Sequence, residues 1–422
     1  MATQAYLAFE PADEDAARHV AAELERNGWT VLRSGPELRI QENLTGLIQA
    51  IGEAGIFVVL ASPASEESTW VRREVAAALN NGRPIIVVQT GEVPAEGWIN
   101  ATLDLAAGVD LRGGSTVEAL SKIAQAARAA GGRGRVIAML NIKGGVGKTV
   151  LAANLFAAAH LADKRAISFI DLDPQHNLTQ YFLGPGERSR LRDENRTLHA
   201  VLNPSLGLQR SGFATMGVAI NRSKRKNLPR FDLIAGDERL FEFTLDTRSD
   251  RDKAAAFTRF RQLVQSLRAQ SDAVIIDSNP CATFLTRLAI TCADHIVAPV
   301  RPEKYSLTGL NMLEHVVREV RGRPLRPAEF SVLLNGVNDR PRPNEFDADA
   351  LTRSEISAAP FFGQALLPEE IPYTGALKAP PNDRIAANPI NLTAIMRVGS
   401  RQVKESLTRA AAAVLRRSSS NA

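Results

Sequence analysis

The stretch KGGVGKT at residues 143–149 decides the fold. It follows the apolar run Val136–Ile142 and precedes a segment of helical spacing that starts at Lys148. In this strand–loop–helix context, glycines let backbone N–H groups converge on phosphate oxygens, and the N-terminus of the helix adds partial positive charge. The lysine and the hydroxyl at the end of the loop suit the terminal phosphates and a magnesium ion. The predicted nucleotide-binding residues are Lys143, Gly144, Gly145, Val146, Gly147, Lys148, Thr149 and Val150.

Composition excludes several classes of protein. The chain has 422 residues, of which 45% are hydrophobic and 23% are charged, and this excludes a disordered chain. Apolar runs such as Ile56–Ala61 are far shorter than the roughly 20 residues that span a bilayer. The acidic N-terminus does not resemble a signal peptide, so we expect a cytoplasmic protein. Cys281 and Cys292 lack metal-ligand spacing and are expected to be buried apolar groups.

Charge divides the chain into two modules. Residues 1–130 carry a net charge of −7, whereas the remainder carries +12 within the total of +5. The small, glycine-rich stretch AARAAGGRGR at residues 126–135 suits a linker between them. We predict one domain at residues 1–130, a linker at 131–135 and a second domain at 136–417. The basic charge of the second domain either contacts nucleic acid or phosphate-rich ligands, or only keeps the protein soluble.

Apolar strands alternate with helical segments in both modules, which indicates parallel sheets covered on both faces. The stretch Arg188–Arg230 is predicted to be rich in loops. The predicted strands are Ala5–Phe9, Thr30–Leu32, Ile56–Ala61, Ile85–Val88, Val136–Ile142, Ala166–Asp171, Phe231–Ile234, Ala273–Asp277, His295–Val300 and Ser331–Leu334.

Three further segments accompany the glycine-rich loop and its first lysine, Lys143. One strand ends in DLDPQ at residues 171–175, another is AVIID at 273–277, and ADHIVAPVRP follows at 293–302. Together with the loop, these segments resemble the ParA/MinD family of ATPases from about residue 135 to residue 415. Two departures from the family are His176, where a glycine is usual, and the polar run Ser278-Asn279-Pro280-Cys281. His176 either tunes the neighbouring loop or is a solvated loop residue.

The resemblance implies roles for the acidic and hydroxyl residues of this site. Lys148 and the loop amides would hold ATP. Thr149 would ligate Mg²⁺ directly, and Asp277 would do so through water. Asp173 would orient the attacking water, with Asp171 supporting the metal or the loop geometry.

Two more roles follow from the same resemblance. Lys143 would cross a dimer interface to the partner's nucleotide, so that the chain forms a homodimer on binding ATP and hydrolysis waits for dimerisation. Cations placed in advance around the γ-phosphate would stabilise its developing charge. Asn335 would contact the adenine; its alternative role is that of a cap or turn residue.

The first module resembles Toll-receptor-type (TIR) domains at residues 62–74, SPASEESTWVRRE. Ser68, Trp70 and Glu74 match the family signature. In active relatives the glutamate supports cleavage of NAD, which needs stabilisation of an oxocarbenium-like ribose. Alternatively, Glu74 lies on the helix surface beside Arg72 or Arg73 with Trp70 as core filler, or the domain serves protein–protein assembly. The two resemblances imply α/β folds: a flavodoxin-like parallel sheet (TIR-like), then a P-loop NTPase doubly wound parallel sheet.

Two surfaces are candidates for contact with DNA. The tail from Leu392 to Arg417 has helical spacing, and its small, alanine-rich face favours packing over membrane insertion. The loop cluster Arg222, Lys224, Arg225 and Lys226 is either a second contact surface or a solvated loop. The basic residues that flank the tail helix are Arg397, Arg401, Lys404, Arg409, Arg416 and Arg417.

Two functions remain open. In the first, ATP-driven dimerisation brings two TIR-like modules together and switches on NAD cleavage, as a defence effector would. In the second, the ATPase partitions DNA or cargo, either in the cytoplasm or in association with the nucleoid, and the TIR-like module is an adaptor that recruits a protein partner.

Overall fold

A computed structural model describes residues 3–34, 44–81, 83–103, 105, 108–114, 116–132, 134–208, 213, 216–220, 229–245, 248–279, 282–338, 347–377 and 401–419. The chain forms two compact units, Met1–Arg133 and Gly134–Asn421. The predicted cluster Arg222–Lys226 and Arg397 lie outside the described residues, as does Cys281.

The first unit is a five-stranded, wholly parallel sheet in the order β2-β1-β3-β4-β5. This is the flavodoxin-like order, and it confirms the predicted fold class. Its strands are β1 Thr3–Ala8, β2 Trp29–Ser34, β3 Ile56–Ala61, β4 Ile85–Gln89 and β5 Val109–Asp110. Its helices are α1 Glu14–Arg26, α2 Leu44–Glu53, α3 Pro63–Glu67, α4 Thr69–Asn80, α5 Trp98–Thr102 and α6 Val117–Gly132.

The second unit is an eight-stranded sheet in the order β13-β12-β11-β6-β10-β7-β9-β8. Only the edge pair β8–β9 is antiparallel. Its strands are β6 Arg135–Met139, β7 Ile167–Asp171, β8 Val218–Ala219, β9 Phe231–Ile234, β10 Ala273–Asp277, β11 His295–Val300, β12 Phe330–Val337 and β13 Leu366–Pro372. Its helices are α7 Lys148–Asp163, α8 Asn177–Phe182, α9 Pro185–Asp193, α10 Leu198–Leu202, α11 Asp250–Arg268, α12 Phe284–Cys292, α13 Ser306–Arg321, α14 Ala348–Ala358, α15 Pro360–Ala365 and α16 Arg401–Ser419.

Apolar side chains of the central strands of the second unit pack on both faces of the sheet. In β10, Val274 and Ile276 join one core with α11 and α12, while Ala273 and Ile275 join a second core with α7 and α16. Burial on both faces explains why these strands read as continuous apolar runs. The doubly wound parallel sheet that the sequence predicted is confirmed.

Two parts of the second unit differ from the prediction. The stretch expected to be rich in loops includes most of α9 and all of α10, whose side chains from Leu198 to Leu202 are buried. Strand β13 was not predicted, because the sequence LLPEEIP contains two prolines and two carboxylates. It lies at the sheet edge, where prolines are tolerated.

Candidate functional site

The glycine-rich loop joins the C-terminal end of β6 to the N-terminus of α7. Gly145 and Gly147 adopt φ values of +75° and +95°, which side chains other than glycine rarely adopt. A Cβ atom at Gly147 would lie 2.5 Å from Nδ2 of Asn335. The backbone therefore requires glycine at this position both for its dihedral angle and for space.

Two asparagines hold the loop from outside it. Asn335 Nδ2 donates to the carbonyl of Val146 over 2.8 Å. Asn141 Oδ1 accepts from the Lys143 amide at 2.9 Å, while its Nδ2 donates to the carbonyl of Pro299 at 2.7 Å. Asn141 was not among the predicted site residues, although a polar residue between an apolar strand and a glycine-rich loop could have indicated its role. Its predicted counterpart, Asn335, contacts the loop, and its adenine contact stays a prediction.

The two lysines of the loop have different surroundings. Lys148, the first residue of α7, is 8% exposed, and its Nζ lies 3.4 Å from the carbonyl of Lys143. Lys143 is about one-third exposed, and its Nζ lies 2.6 Å from Oε2 of Glu303 on the loop after β11. Lys148 thus points back over the loop, whereas Lys143 pairs with a carboxylate of its own chain.

Two buried carboxylates end neighbouring strands beside the loop. Asp277 of β10 and Asp171 of β7 are register partners, and both are fully buried. Burial, together with the charge of Asp171, raises the pKa of Asp277 well above its usual value. The Thr149 hydroxyl acts in the opposite direction and lowers this pKa. Burial likewise raises the pKa of Asp171 to about 6, although hydrogen bonds from Thr179 act to lower it. A nearby cation would therefore stabilise the ionised forms of both groups.

The segment between Asp171 and α8 carries Asp173. Its amide lies 3.3 Å from Asp171 Oδ1, and Asp173 Oδ1 accepts from the Gln175 amide at 2.9 Å. Burial raises the pKa of Asp173 despite the lowering by that amide and by the charge of Lys148. His176 caps α8 with a φ of +42°, a left-handed conformation that glycine adopts more readily than residues with a side chain.

The donor set fits a magnesium nucleotide. Neither carboxylate oxygen of Asp277 accepts a hydrogen bond of ordinary geometry, although the Thr149 hydroxyl is close enough to lower its pKa. Within the described part of the chain, no group of three or more His, Cys, Asp or Glu side chains is placed to hold a metal ion. Hard oxygen donors such as these suit Mg²⁺, which usually takes its remaining ligands from phosphate and water.

The structure corrects one alternative for the first unit. Glu74 of α4 is not on the helix surface beside Arg72 or Arg73, because its exposed fraction is 0%. Its Oε1 accepts from the hydroxyl of Tyr6 at 2.8 Å and from the indole N–H of Trp70 at 3.0 Å, and also from the Ser34 hydroxyl. Two residues of the predicted signature, Trp70 and Glu74, therefore lie beside Tyr6 of β1 and Ser34 at the end of β2.

Two N-cap serines connect the loops that follow β1 and β3. Ser62 caps α3 and donates to Asp13 Oδ2 at 2.6 Å, while Thr90 donates to the other oxygen of Asp13 at 2.8 Å. Ser68 caps α4 and donates to Glu10. Strand order reverses at this point of the sheet, which is where ligands bind in open α/β folds.

Helix α16 is a packing helix, as predicted for the tail. Val403, Leu407, Ala410, Ala411 and Val414 are buried in the core against α7 and β13. None of the described helices is long and apolar enough to cross a membrane.

One of the predicted DNA-contacting residues of the tail has another role. The guanidinium of Arg417 donates to the carbonyls of Ala365 and Gln364, at 2.6 and 2.9 Å, at the end of α15. Arg401 forms an exposed ion pair with Glu405 at 2.7 Å. The exposed side chain of Arg409 is still available to a phosphate backbone.

Comparison with known proteins assigns both units. Residues 134–328 match a family described as an AAA domain, and residues 6–124 match a family described as a TIR domain. The chromosome partitioning protein ParA of Caulobacter vibrioides is 29% identical over 261 residues, covering 57% of this chain and 90% of that protein. The sporulation initiation inhibitor protein Soj of Bacillus subtilis is 30% identical, covering 44% of this chain and 66% of that protein.

Among solved structures, apo McdA from Cyanothece is 17% identical with a TM-score of 0.48 and covers 67% of this chain and 98% of that chain. The motifs at residues 143–149, 171–175 and 273–277 all lie within the stretch that matches the AAA domain. The chain therefore belongs to the ParA-like family of P-loop ATPases and carries an N-terminal TIR domain.

Proposed function

We propose that the second unit binds ATP with Mg²⁺ and hydrolyses it slowly, and that ATP binding joins two copies of the chain. The observation that carries the proposal is the buried carboxylate of Asp277, which faces the Thr149 hydroxyl at the start of α7. A buried carboxylate without hydrogen bonds of ordinary geometry is costly unless a cation binds beside it.

Different residues of the site would bind the phosphates, the Mg²⁺ ion and the attacking water. The amides of residues 144–149 and the amine of Lys148 would bind the phosphates, and bound Mg²⁺ would neutralise charge on the phosphate oxygens. Thr149 and Asp277 would hold that ion, with Asp171 shaping the loop beside it. Asp173 would orient the attacking water.

Dimerisation would complete this site. Lys143 is the cation that would act on the partner's nucleotide, and in this structure its Nζ is bound to Glu303 of its own chain. This ion pair is partly exposed, so breaking it costs little free energy when the partner's nucleotide is available to Lys143.

The TIR domain is the output module of this proposal, and NAD cleavage is its candidate activity. The convergence of Glu74, Trp70 and Ser34 supports it, because one carboxylate near a ribose can stabilise an oxocarbenium-like state. Since Glu74 is fully buried and accepts hydrogen bonds from several side chains, NAD reaches it only after the side chains around it move. We infer that dimerisation promotes this movement.

Light scattering combined with nicotinamide release tests the proposal. The full chain is incubated with Mg²⁺ and no nucleotide, ADP, ATP or a non-hydrolysable ATP analogue, each with NAD. We expect a doubled mass and nicotinamide release with ATP. A monomer under every condition would refute the dimerisation proposal. Glu74→Gln should lose nicotinamide release and keep ATP hydrolysis, whereas Glu67→Gln, a change at an exposed glutamate, should keep both.

DNA partition is the second candidate, and the names of the ParA relatives and the +12 charge of the second module favour it. A dimer that releases no nicotinamide but retains DNA with ATP would support it. Retention should weaken steeply with salt and disappear in Lys148→Ala. In that case the TIR domain is an adaptor for a protein partner.

A further inference from the structure

Thr179 connects three segments at the carboxyl edge of the second sheet. Its amide and its hydroxyl both donate to Asp171 Oδ2, each over 2.7 Å. The hydroxyl oxygen also accepts from the amide of Gly236, just after β9, at 2.9 Å. Thr179 is 1% exposed, so solvent does not replace these bonds.

These bonds fix both ends of the segment that carries Asp173. Asp171 Oδ1 accepts from the Asp173 amide at the start of the segment, and Asp171 Oδ2 holds Thr179 in α8 at its end. The backbone of Gly236 also packs closely against β7, because a Cβ atom at Gly236 would lie 2.8 Å from the carbonyl oxygen of Asp171. The position of Asp173 thus depends on one carboxylate and one hydroxyl.

We propose that Thr179 is a positioning residue for ATP hydrolysis. Its hydrogen bonds hold the Asp171 carboxylate and thereby fix the position of Asp173 relative to the γ-phosphate. The proposal rests on the ATPase function proposed above. Displacement of a reacting group by about 1 Å costs on the order of 100-fold in rate. Thr179 makes no bond to the loop at residues 143–149, so its loss should affect turnover rather than nucleotide binding.

A merely structural role predicts a different outcome, and the same sheet offers a matched control. Ser168 lies at the other end of β7, is fully buried, and donates to Asp232 Oδ1 of β9 over 2.6 Å. Ser168→Ala therefore removes a buried hydroxyl–carboxylate bond between β7 and β9, away from the site. If Thr179 only stabilises the fold, the two hydroxyl deletions should act alike.

The test compares Thr179→Val, Thr179→Ser and Ser168→Ala in the full chain, with kcat and KM for ATP and the affinity for AMPPNP. We expect Thr179→Val to lower kcat about 10- to 100-fold while KM and AMPPNP affinity stay within about threefold. Thr179→Ser keeps the hydroxyl and should retain at least about one-third of the wild-type kcat. Ser168→Ala should turn over like the wild type.

Three outcomes would overturn the proposal: an unchanged kcat in Thr179→Val, an equal kcat loss in Ser168→Ala, or a failure of Thr179→Ser to rescue. If Thr179→Val does not fold, Thr179→Cys replaces it, since a thiol is a weak donor and should give the same loss. A wild-type chain that binds AMPPNP but never hydrolyses ATP would refute the ATPase function itself, and the positioning role with it.

Discussion

Lys143 and Glu303 form an ion pair within one chain, with Nζ and Oε2 2.6 Å apart. The two side chains are 35% and 47% exposed, so the bridge contributes at most about 1 kcal/mol. The lysine proposed to act on a partner's nucleotide is therefore held in place by its own chain, but only weakly. Substitutions of Lys143 and Glu303 can therefore distinguish effects on nucleotide binding from effects on dimerisation.

Lys143→Ala should leave nucleotide binding intact and abolish hydrolysis. In the proposed function, Lys148 and the loop amides would bind the phosphates in cis, whereas Lys143 would act only across the dimer. Isothermal titration with AMPPNP should give an affinity within about threefold of wild type, and phosphate release should fall to background. Lys148→Ala is the comparison and should lose affinity itself. Equal loss of affinity in both variants would contradict this division of roles.

Glu303→Gln should strengthen ATP-dependent dimerisation. Each protomer must break one bridge before its lysine reaches the partner, so two bridges are lost per dimer. At up to about 1 kcal/mol each, their removal should lower the dimer dissociation constant by up to about 30-fold. Sedimentation at a series of protein concentrations with a non-hydrolysable ATP analogue measures it.

A double-mutant cycle provides the control for this prediction. In a Lys143→Ala background, Glu303→Gln should no longer change the dissociation constant, because no bridge is left to break. An equal effect of Glu303→Gln in both backgrounds would mean that Glu303 acts on dimerisation by a route that does not involve Lys143.

Gly147→Ala should weaken nucleotide binding without unfolding the chain. The substitution forces a side chain into a φ of +95° and places its Cβ 2.5 Å from Asn335 Nδ2, so the loop must shift. Binding of AMPPNP should fall at least about tenfold, measured by titration. The control is Gly186→Ala in α9, where a Cβ meets nothing within 4 Å, and it should bind normally.

The stability of the second unit should fall with acidification because of His295. Burial, together with the charge of Arg417, lowers the pKa of His295 to about 4. An unfolded histidine titrates near 6.5, so this group contributes full stability above about pH 6.5 and loses it as pH falls toward 4, up to about 3 kcal/mol. His295→Gln should flatten this dependence, whereas His315→Gln, at an exposed position, should not.

Far-ultraviolet circular dichroism in urea between pH 7.5 and 4.5 measures this effect. The chain's three tryptophans, Trp29, Trp70 and Trp98, all lie in the first unit, so their fluorescence follows that unit separately in the same samples. Parallel pH slopes for His295→Gln and wild type would contradict the prediction.

The sequence could predict the local geometry of the candidate site where its residues are adjacent in the chain. The spacing of Gly145, Gly147 and Lys148 after an apolar strand is enough to predict the shape of the loop, because a strand, a tight turn and a helix are each formed by residues close together in the chain. Asp171 and Asp277 were found because each ends an apolar strand, and in a parallel sheet those ends meet at one edge.

Contacts between distant segments could not be predicted in this way. Glu74 was considered as a surface residue because its burial depends on Tyr6 and Ser34, 68 and 40 residues away. The hydrogen bonds of Thr179 depend on Gly236 and on the register of β9 beside β7. Such contacts need the strand order, which composition and periodicity do not determine.

Helix α16 has a consequence for biosynthesis. It covers the apolar face of α7, the helix whose first turn forms the nucleotide loop, although the two are separated by most of the sequence of the second unit. The first unit has all its strands and helices once residue 132 has been made. Because domains fold as units in the order of synthesis, a nascent chain would display a finished TIR domain while α7 still awaits its last packing partner. The second unit would therefore complete its packing around α7 only after α16 has been synthesised.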